Sequence, residues 1–153
     1  MGCNVFFMIV ETDFNTIKII WTHHLWPNRE SKIESHSAMI LTGGYDIHNF
    51  DYKPTYLLYY IDGKIAGCNS GHLCNDNKYR SRGLYVFPEF RKKGIGTELL
   101  QATIRQGKKE NCALVWSYPR FESWSTYKAA GFELISDWTD GETGVNAYCK
   151  IDC

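Results

Sequence analysis

The pattern of apolar and polar positions divides the first half of the chain into five candidate elements. Loose alternation predicts a strand over Thr16–Trp21, and sparse apolar spacing predicts a helix over His23–His36. Apolar runs bounded by turn residues predict three further strands, which are Pro54–Ile61, Lys64–Leu73 and Tyr79–Phe87. The Asp62-Gly63 pair between the first two is typical of a tight hairpin turn, so we expect these strands to be antiparallel.

The second half of the chain changes to alternating helices and strands. The elements predicted here are an amphipathic helix Thr97–Lys109, a buried strand Cys112–Tyr118, a short helix Ser123–Ala130, and strands Phe132–Trp138 and Val145–Ile151 around an Asp140-Gly141 turn. A strand–helix–strand connection is right-handed and makes its two strands parallel. The predicted order β-α-β-β-β-α-β-α-β-β therefore indicates an α+β fold with a mixed sheet.

Length and composition fit one globular domain. The chain has 153 residues and a mass of 17.7 kDa, and we assign residues 1–153 to a single domain, with 1–15 as a candidate additional segment. A net charge of zero argues against nucleic acid as a partner. The apolar runs fall short of the ~20 residues of a membrane span, and Val5–Val10 lacks the flanks of a signal peptide. We therefore expect no membrane partner and a cytoplasmic location.

The cysteines predict neither a disulfide framework nor a metal centre. There are six of them, no two form a CxxC pair, and no secretion signal accompanies them, so reduced thiols are expected. Cys68, His72 and Cys74 would share one face of a strand, which is a pattern that zinc could use. No fourth ligand accompanies them, and we interpret them as buried thiols and a hydrogen-bonded histidine.

The most informative segment is a glycine-containing loop between a predicted strand and a predicted helix. Its backbone N–H groups converge at the positive end of the helix dipole, and Gly94 and Gly96 allow an anion to approach the main chain. Three residues add positive charge to the loop: Arg91, Lys92 and Lys93. The wider stretch Lys78–Lys93 is basic as well. The sequence therefore predicts a phosphate or pyrophosphate site, and the alternative is a solvated basic loop.

Two known phosphate motifs do not describe this loop. The string GxxxxGK[ST] of the P-loop does not occur, and the dinucleotide motif GxGxxG fails because Leu99 replaces its third glycine. The string LYVFPEFRKKGIGTELL, followed some thirty residues later by YKAAGF, instead resembles the GNAT superfamily of acyl-CoA-dependent N-acyltransferases. The family hallmark [RQ]xxGxG[AG] corresponds to Arg91, Gly94 and Gly96, with Thr97 at its last position. A second hallmark, YxxxGF, corresponds to Tyr127, Gly131 and Phe132.

The resemblance implies a fold, a co-substrate and a set of site residues. The implied fold is that of the acyl-CoA N-acyltransferases, with a mixed sheet of six to seven strands that contains a splayed parallel pair. Acetyl-CoA is the implied co-substrate, with no metal ion. The residues implied to bind it are Leu84, Tyr85, Val86, Arg91, Lys92, Lys93, Gly94, Ile95, Gly96 and Thr97. Tyr127 is implied to be the acid that protonates the departing thiolate.

One feature differs from the family pattern. Many members carry a glutamate as the general base on the strand before the loop, but here Ser81, Arg82 and Gly83 precede Leu84, and the strand has no carboxylate. Other candidate bases are His72, Glu122, Tyr59 and Glu89, and the base stays unassigned. A non-catalytic acyl-CoA-binding module, or an interaction domain that binds no CoA, are the alternatives to an enzyme.

The acceptor implied by the resemblance is a primary amine on a small molecule or a peptide. A small amine, a polyamine, an aminoglycoside and a protein N-terminus all fit, and a homodimer is a further candidate assembly. Acidic residues near the C-terminus could attract a cationic acceptor, although a solvated strand face is the simpler explanation. These residues are Glu133, Asp137, Asp140 and Glu142.

Overall fold

Strands and short helices alternate along the chain in the computed structural model, which describes residues 6–41, 43–142 and 144–153. The strands are β1 Phe7–Thr12, β2 Thr55–Ile61, β3 Lys64–Leu73, β4 Lys78–Val86, β5 Leu114–Ser117, β6 Glu133–Leu134, β7 Thr139–Gly141, β8 Gly144–Asn146 and β9 Cys149–Asp152. The α-helices are α1 Phe14–Ile20, α2 Ile95–Lys109 and α3 Trp124–Ala129. One π-helical turn, Trp21–Leu25, continues α1, and 3-10 turns lie at Ile47–Asp51, Pro88–Phe90 and Phe121–Ser123.

Seven of these strands form one mixed sheet in the order β1-β2-β3-β4-β5-β9-β6, and β7 and β8 pair separately. Only β4 and β5 are parallel among the pairs in the described residues. The parallel pairing ends at Arg80, which lies opposite Trp116, whereas β4 continues to Val86. The predicted mixed sheet with a splayed parallel pair is therefore confirmed. The splay leaves one edge of β4 without a strand beside it.

The predicted antiparallel strands in the middle of the chain are confirmed. β2 and β3 form a hairpin through Asp62 and Gly63, both of which have positive φ, and Ile61 pairs with Lys64. β3 pairs in turn with β4, and the register shifts where Gly83 interrupts it with a φ of +84°. A Cβ atom at Gly83 would overlap the indole of Trp21. This bulge increases the local twist of β4 and lets Trp21 lie directly beneath the strand.

The predictions for the N-terminal region are wrong. Thr16–Trp21 forms most of helix α1 and the start of the π-helical turn rather than a strand, and the first strand is Phe7–Thr12. The Asp13 carboxylate caps the helix by accepting a hydrogen bond from the Thr16 N–H at 2.8 Å. The buried residues of this segment, Ile17, Ile20 and Trp21, follow helical spacing, which a short window does not separate from alternation.

The helix predicted over His23–His36 is also absent. Its helical part ends at Leu25, two residues before Pro27, and the chain continues without regular structure. Proline lacks the N–H that a continuing helix needs, and it disfavours helical geometry at the residue before it. The segment instead packs as a loop against the face of the sheet that α1 covers.

The last two predicted strands are shorter than expected. Phe132–Trp138 reduces to β6, and Val145–Ile151 divides into β8 and β9. The division occurs at Ala147 and Tyr148, whose N–H groups leave the ladder and donate to the Pro119 carbonyl and the Ser136 hydroxyl. These hydrogen bonds to acceptors outside the sheet divide a segment whose sequence pattern predicts one continuous strand.

Two apolar layers cover the sheet. Helix α2 places Leu99, Leu100 and Ile104 on one face, where burying each side chain contributes roughly 1.5–3 kcal/mol. Helix α1 and the π-helical turn cover the other face with Ile17 and Trp21. The two layers meet the sheet on either side of the splayed strands, so the opening between β4 and β5 connects both faces.

Candidate active site

A cleft of about 800 Å³ opens where β4 and β5 separate. Its walls come from β4, from the loop and first turn of α2, from the segment after β5, and from α3. At the closed end of the cleft, the Ser117 hydroxyl donates a hydrogen bond of 2.8 Å to the Ser81 carbonyl and ties the two strands together. We call the part nearest this bond the vertex end, lined by Arg80, Ser117, Tyr118, Arg120 and Asn146, and the part formed by Leu84–Thr97 the loop end.

The loop end consists largely of unpaired backbone groups. Gly94, with a φ of +81°, precedes the first turn of α2, and no side chain caps that turn. In the part of the chain that the structure describes, the N–H groups of residues 92–97 donate to no protein acceptor. Such groups at the positive end of a fifteen-residue helix form a site for an anion.

The two glycines of the loop have different surroundings. A Cβ atom on Gly94 would meet nothing within 4 Å, because this residue faces the open cleft. A Cβ atom on Gly96 would lie 2.8 Å from the Thr126 methyl group, because here α2 and α3 approach closely. Gly94 therefore keeps space free for a ligand, whereas Gly96 permits helix packing.

The cleft brings together most of the residues that the sequence singles out. Those that line it are Leu84, Tyr85, Val86, Arg91, Lys92, Gly94, Ile95, Gly96, Thr97 and Tyr127. Lys93 does not line it, and its ammonium group lies 5.8 Å from the centre of the Phe90 ring. Arg91 turns back toward the strand, where its Nε donates to the Val86 carbonyl at 2.8 Å. One cation of the basic loop therefore lies outside the cleft, and another already touches the free edge of β4.

Tyr127 occupies a buried position on α3 beside the cleft. Its ring packs edge-on against Phe132 at 5.5 Å, which joins the two ends of the YxxxGF motif in one apolar cluster. Burial raises the pKa of Tyr127 far above its ordinary value, while the Ser117 side chain and Arg80 act weakly in the opposite direction. The phenol therefore stays protonated near neutral pH and is able to donate a proton.

Three of the four candidate bases lie outside the cleft. His72 is buried, with Nδ1 paired to the Leu73 carbonyl at 3.0 Å and Nε2 accepting from the Ser37 N–H at 3.1 Å. Burial lowers the pKa of His72 to about 3, so it is held neutral as a structural residue. Tyr59 donates its hydroxyl to Glu98, and Glu89 lies in the turn before the loop. The structural role of His72 agrees with the interpretation of a hydrogen-bonded histidine.

Among the carboxylates of the described residues, only Glu122 lines the cleft, at an exposed position. His24 lines it as well, and its ring stacks on Tyr85 at a centroid distance of 5.7 Å. Sequence reasoning missed His24 because the π-helical turn that directs it has no recognisable pattern. No group of three or more side chains suited to a metal ion occurs among the described residues.

The basic residues of the stretch Lys78–Lys93, which the sequence predicts to favour phosphate binding, lie in different parts of the structure. Lys78 pairs with Asp76 at 3.2 Å, and Arg80 and Arg82 are buried on the face of the sheet opposite α2. Of the basic residues in this stretch, only Arg91 and Lys92 line the loop end. Strand alternation explains the division, because residues 80 and 82 share one face of β4.

The cysteines in the described residues form no disulfide. Four are buried and Cys153 is exposed, with its sulfur 3.2 Å from that of Cys112. Cys3 lies outside the described residues. None of the helices that the structure describes is long and apolar enough to span a bilayer.

Comparisons with known proteins agree with this geometry. Residues 19–132 match the model of the acetyltransferase (GNAT) family. No curated protein sequence matches the chain. Among solved structures, an acetyltransferase of the GNAT family from Staphylococcus aureus Mu50 has a TM-score of 0.66 at 14% identity, over 95% of this chain and 98% of that one.

Two further structures are similar over nearly the whole chain. The ribosomal-protein-S18-alanine N-acetyltransferase from Escherichia coli has a TM-score of 0.62 at 14% identity, covering 96% of this chain and 94% of that one. An acetyltransferase from Bacillus subtilis in complex with CoA has a TM-score of 0.60 at 11% identity, covering 98% and 99%. At these identities the similarity establishes the fold that the sheet order already shows.

Proposed function

The chain belongs to the acetyltransferase (GNAT) family, and from this premise we propose that it transfers an acetyl group from acetyl-CoA to a primary amine. The proposal rests on one observation, which is that two binding features of the loop end are adjacent. The unpaired edge of β4 leads directly to the free N–H groups before α2. An edge of extended backbone followed by an anion site matches a ligand that has amide groups next to a pyrophosphate.

The loop end can satisfy each part of the donor. The amide groups of the pantetheine arm are able to pair with the backbone of Leu84–Val86, as an added strand would. The pyrophosphate fits the N–H groups of residues 92–97, supported by Arg91 and Lys92. Binding in this mode requires Arg91 to release the Val86 carbonyl, to which it donates in the free protein.

The proposed chemistry places the thioester near Tyr127. The neutral amine attacks the acetyl carbonyl, the C–N bond forms, and the C–S bond breaks with departure of the CoA thiolate. Burial keeps the Tyr127 phenol protonated until negative charge develops on the sulfur, and Tyr127 then hydrogen-bonds this thiolate and gives it its proton. The proton lost by the amine passes to a group at the cleft, for which His24 and Glu122 are the available side chains.

Titration calorimetry with acetyl-CoA tests the donor site. We expect micromolar binding by the wild-type protein, weaker binding of dephospho-CoA, and loss of binding in Gly94→Trp, whose side chain would fill the loop end. Gly63→Trp is the matched control, because Gly63 has a φ of +79° and equally open surroundings but lies in the β2–β3 turn. No binding by the folded wild-type protein would refute the proposal.

Turnover separates the enzyme from a binding module. Release of free thiol in the presence of an amine panel supports N-acetyl transfer. Binding of acetyl-CoA without thiol release with any amine would leave a non-catalytic acyl-CoA-binding module. We further propose a reducing, cytoplasmic environment, which the unpaired cysteines support.

A further inference from the structure

Two arginines lie almost fully buried beneath the splayed strands. Arg80 and Arg82 are 7% and 4% exposed and point to the face opposite α2. Arg80 packs over the Trp116 ring at 4.5 Å, and its Nε donates to the Ser81 carbonyl at 3.0 Å. The Arg82 guanidinium lies 4.9 Å from the centre of the Trp21 ring and 5.4 Å from that of the Trp26 ring. Burying a guanidinium group is costly unless an opposite charge accompanies it.

Within residues 6–41, 43–142 and 144–153, neither arginine forms an ion pair with a carboxylate. The groups that favour the charged form of Arg80 are all thiols and phenols, namely Cys74, Tyr127, Tyr148 and Cys149. Burial raises the pKa of all four groups, so they are neutral near pH 7. Arg80 is therefore a buried cation that no anionic group compensates among the described residues, and the nearby Arg82 adds a like charge.

The two arginines differ in their access to the cleft. Arg82 does not line it, and one of its terminal nitrogens donates to the Glu34 carbonyl at 2.8 Å, which suits a structural role. Arg80 lines the vertex end, and among the described residues the Met39 sulfur, at 3.8 Å, is the only hydrogen-bond acceptor of its terminal nitrogens. A thioether is a weak acceptor. The terminal nitrogens of Arg80 are thus available to a ligand in the cleft.

Acetyl-CoA does not supply an anion at this position. Its phosphates fit the loop end, and the pantetheine arm and the thioester that would extend toward Tyr127 carry no charge. Arg120 adds a second cation to the vertex end, and among the described residues the exposed Glu122 is the only carboxylate in the cleft lining. The acidic residues near the C-terminus do not line the cleft, and the Glu142 carboxylate is engaged by the Ser31 N–H at 2.9 Å. These charges disfavour a polycationic acceptor such as a polyamine or an aminoglycoside.

We propose that the acceptor is a small amine that also carries a carboxylate, and that Arg80 binds this carboxylate at the vertex end. The inference rests on the proposed N-acetyl transfer and specifies its substrate class. A guanidinium fork matches a carboxylate in geometry and charge. Arg80 and Tyr127 both line the cleft and are close enough to interact electrostatically, so the proposed acceptor is short, such as a free amino acid.

Paired acceptors test this assignment in the wild-type protein. Each amino acid is compared with its carboxamide, which keeps the amine and removes the negative charge, and thiol release gives kcat/KM. We expect the acid to be favoured by about 30-fold or more, because a buried charge pair that loses one partner costs this much. O-phosphoethanolamine is included, and a preference for it over every amino acid would assign the anion as a phosphate and overturn the carboxylate.

Substitution of Arg80 gives a second, independent test. Arg80→Gln should bring each acid and its carboxamide to within about 3-fold of each other, mainly by raising KM for the acid, while Arg80→Lys should keep part of the preference. The dissociation constant of acetyl-CoA should stay the same in both variants. Equal losses on acid and carboxamide would show a structural role for Arg80 and contradict the proposal.

The outcomes also separate this inference from the function on which it rests. Efficient acetylation of carboxamides and simple amines by the wild-type protein would leave N-acetyl transfer standing and refute carboxylate recognition. Binding of acetyl-CoA with no turnover of any acceptor would refute N-acetyl transfer itself, and the acceptor assignment with it. The wild-type comparison does not depend on whether the Arg80 variants fold.

Discussion

The two ends of the cleft present different chemical groups to a ligand. The loop end is formed by one continuous segment, Leu84–Thr97, and offers mainly backbone N–H groups and an unpaired strand edge. The vertex end is formed by side chains from segments far apart in the sequence, among them Arg80, Arg120 and Asn146. Backbone groups are the same in every protein that adopts this loop, whereas side chains vary. The loop end therefore suits a shared co-substrate, and the vertex end can select an individual acceptor.

The charges at the two ends differ as well. Arg91 and Lys92 at the loop end remain in contact with solvent, where salt screens them. Arg80 at the vertex end is buried among aromatic rings and thiols, where screening is weak. Each cation at the loop end therefore contributes modestly to the binding free energy of an anion. An anion bound at the vertex end instead compensates the free-energy cost of burying the Arg80 guanidinium.

The largest effect is expected at Gly83, where β4 passes over Trp21 between the two ends. Gly83→Ala places a methyl group against the indole and forces an alanine into a φ of +84°. We expect a loss of about 4 kcal/mol in the free energy of unfolding, from overpacking and backbone strain together. Urea denaturation measures it. Gly63→Ala has nearly the same φ without the overlap, and should lose only about 1 kcal/mol.

Comparable losses at the two glycines would show that Trp21 moves aside freely. In that case close packing of β4 against Trp21 at the Gly83 bulge would contribute little to the free energy of unfolding. The Trp21 Nε1–H donates to the Gly83 carbonyl at 2.8 Å, which argues that the ring is held in place.

Tyr127→Phe should produce the next largest effect and separates catalysis from donor binding. Removal of the hydroxyl deletes the proposed proton donor, so kcat should fall about 100-fold while the acetyl-CoA dissociation constant stays within 2-fold. Thiol release and calorimetry measure the two quantities. Tyr60→Phe, on β2 and away from the cleft, should leave both unchanged. A parallel loss of binding and turnover in Tyr127→Phe would indicate a packing role instead.

The difference between the ends also explains what the sequence could predict. The loop end lies in one short segment, so its glycines and cations are visible side by side, and the mixed sheet follows from turn signals and apolar runs. The vertex end depends on the strand register that places Arg80 opposite Trp116, and the position of His24 in the cleft depends on the π-helical turn. Neither leaves a local pattern. Arg80 was therefore counted with the basic loop although alternation turns it to the other face.

The N-terminal error has a similar physical origin. The segment after Asp13 is short, and its buried positions Ile17, Ile20 and Trp21 fit a helix once the cap is recognised. The following loop is held by contacts with distant residues, such as the Arg82 bond to the Glu34 carbonyl. Contacts of this kind hold the loop in place, and no window of sequence contains both partners.

His72 should make the layer at the vertex end sensitive to acid. Its pKa is lowered to about 3 in the folded protein, by burial above all and also by His36, Arg80 and Arg82 nearby, against an ordinary value of 6.5. Below pH 6.5 the unfolded chain therefore takes up a proton that the folded chain does not. The stability from neutral His72 is fully present above pH 6.5 and is lost as the pH falls toward 3.

Between pH 7 and pH 5 this loss should amount to about 2 kcal/mol in the free energy of unfolding. Urea denaturation at both pH values measures it as the difference between the wild-type protein and His72→Gln, because the other titrating groups are common to both. The variant should be less stable at pH 7 and should lose less on acidification. The same pH dependence in both proteins would mean that His72 takes up its proton without unfolding.

The smallest effect concerns the loop end and compares two neighbouring cations. Arg91 lines the cleft and Lys93 does not, although the sequence presents them as equivalent members of one basic loop. Arg91→Ala should weaken acetyl-CoA binding about 5-fold, because an exposed cation near a phosphate contributes on the order of 1 kcal/mol. Lys93→Ala should change it by less than about 2-fold, since its ammonium group lies over Phe90. Calorimetry at low and high salt should show the Arg91 effect shrinking as salt rises. Equal effects of the two substitutions would mean that the loop attracts acetyl-CoA through its total positive charge. The different positions of the Arg91 and Lys93 side chains would then have no effect on binding.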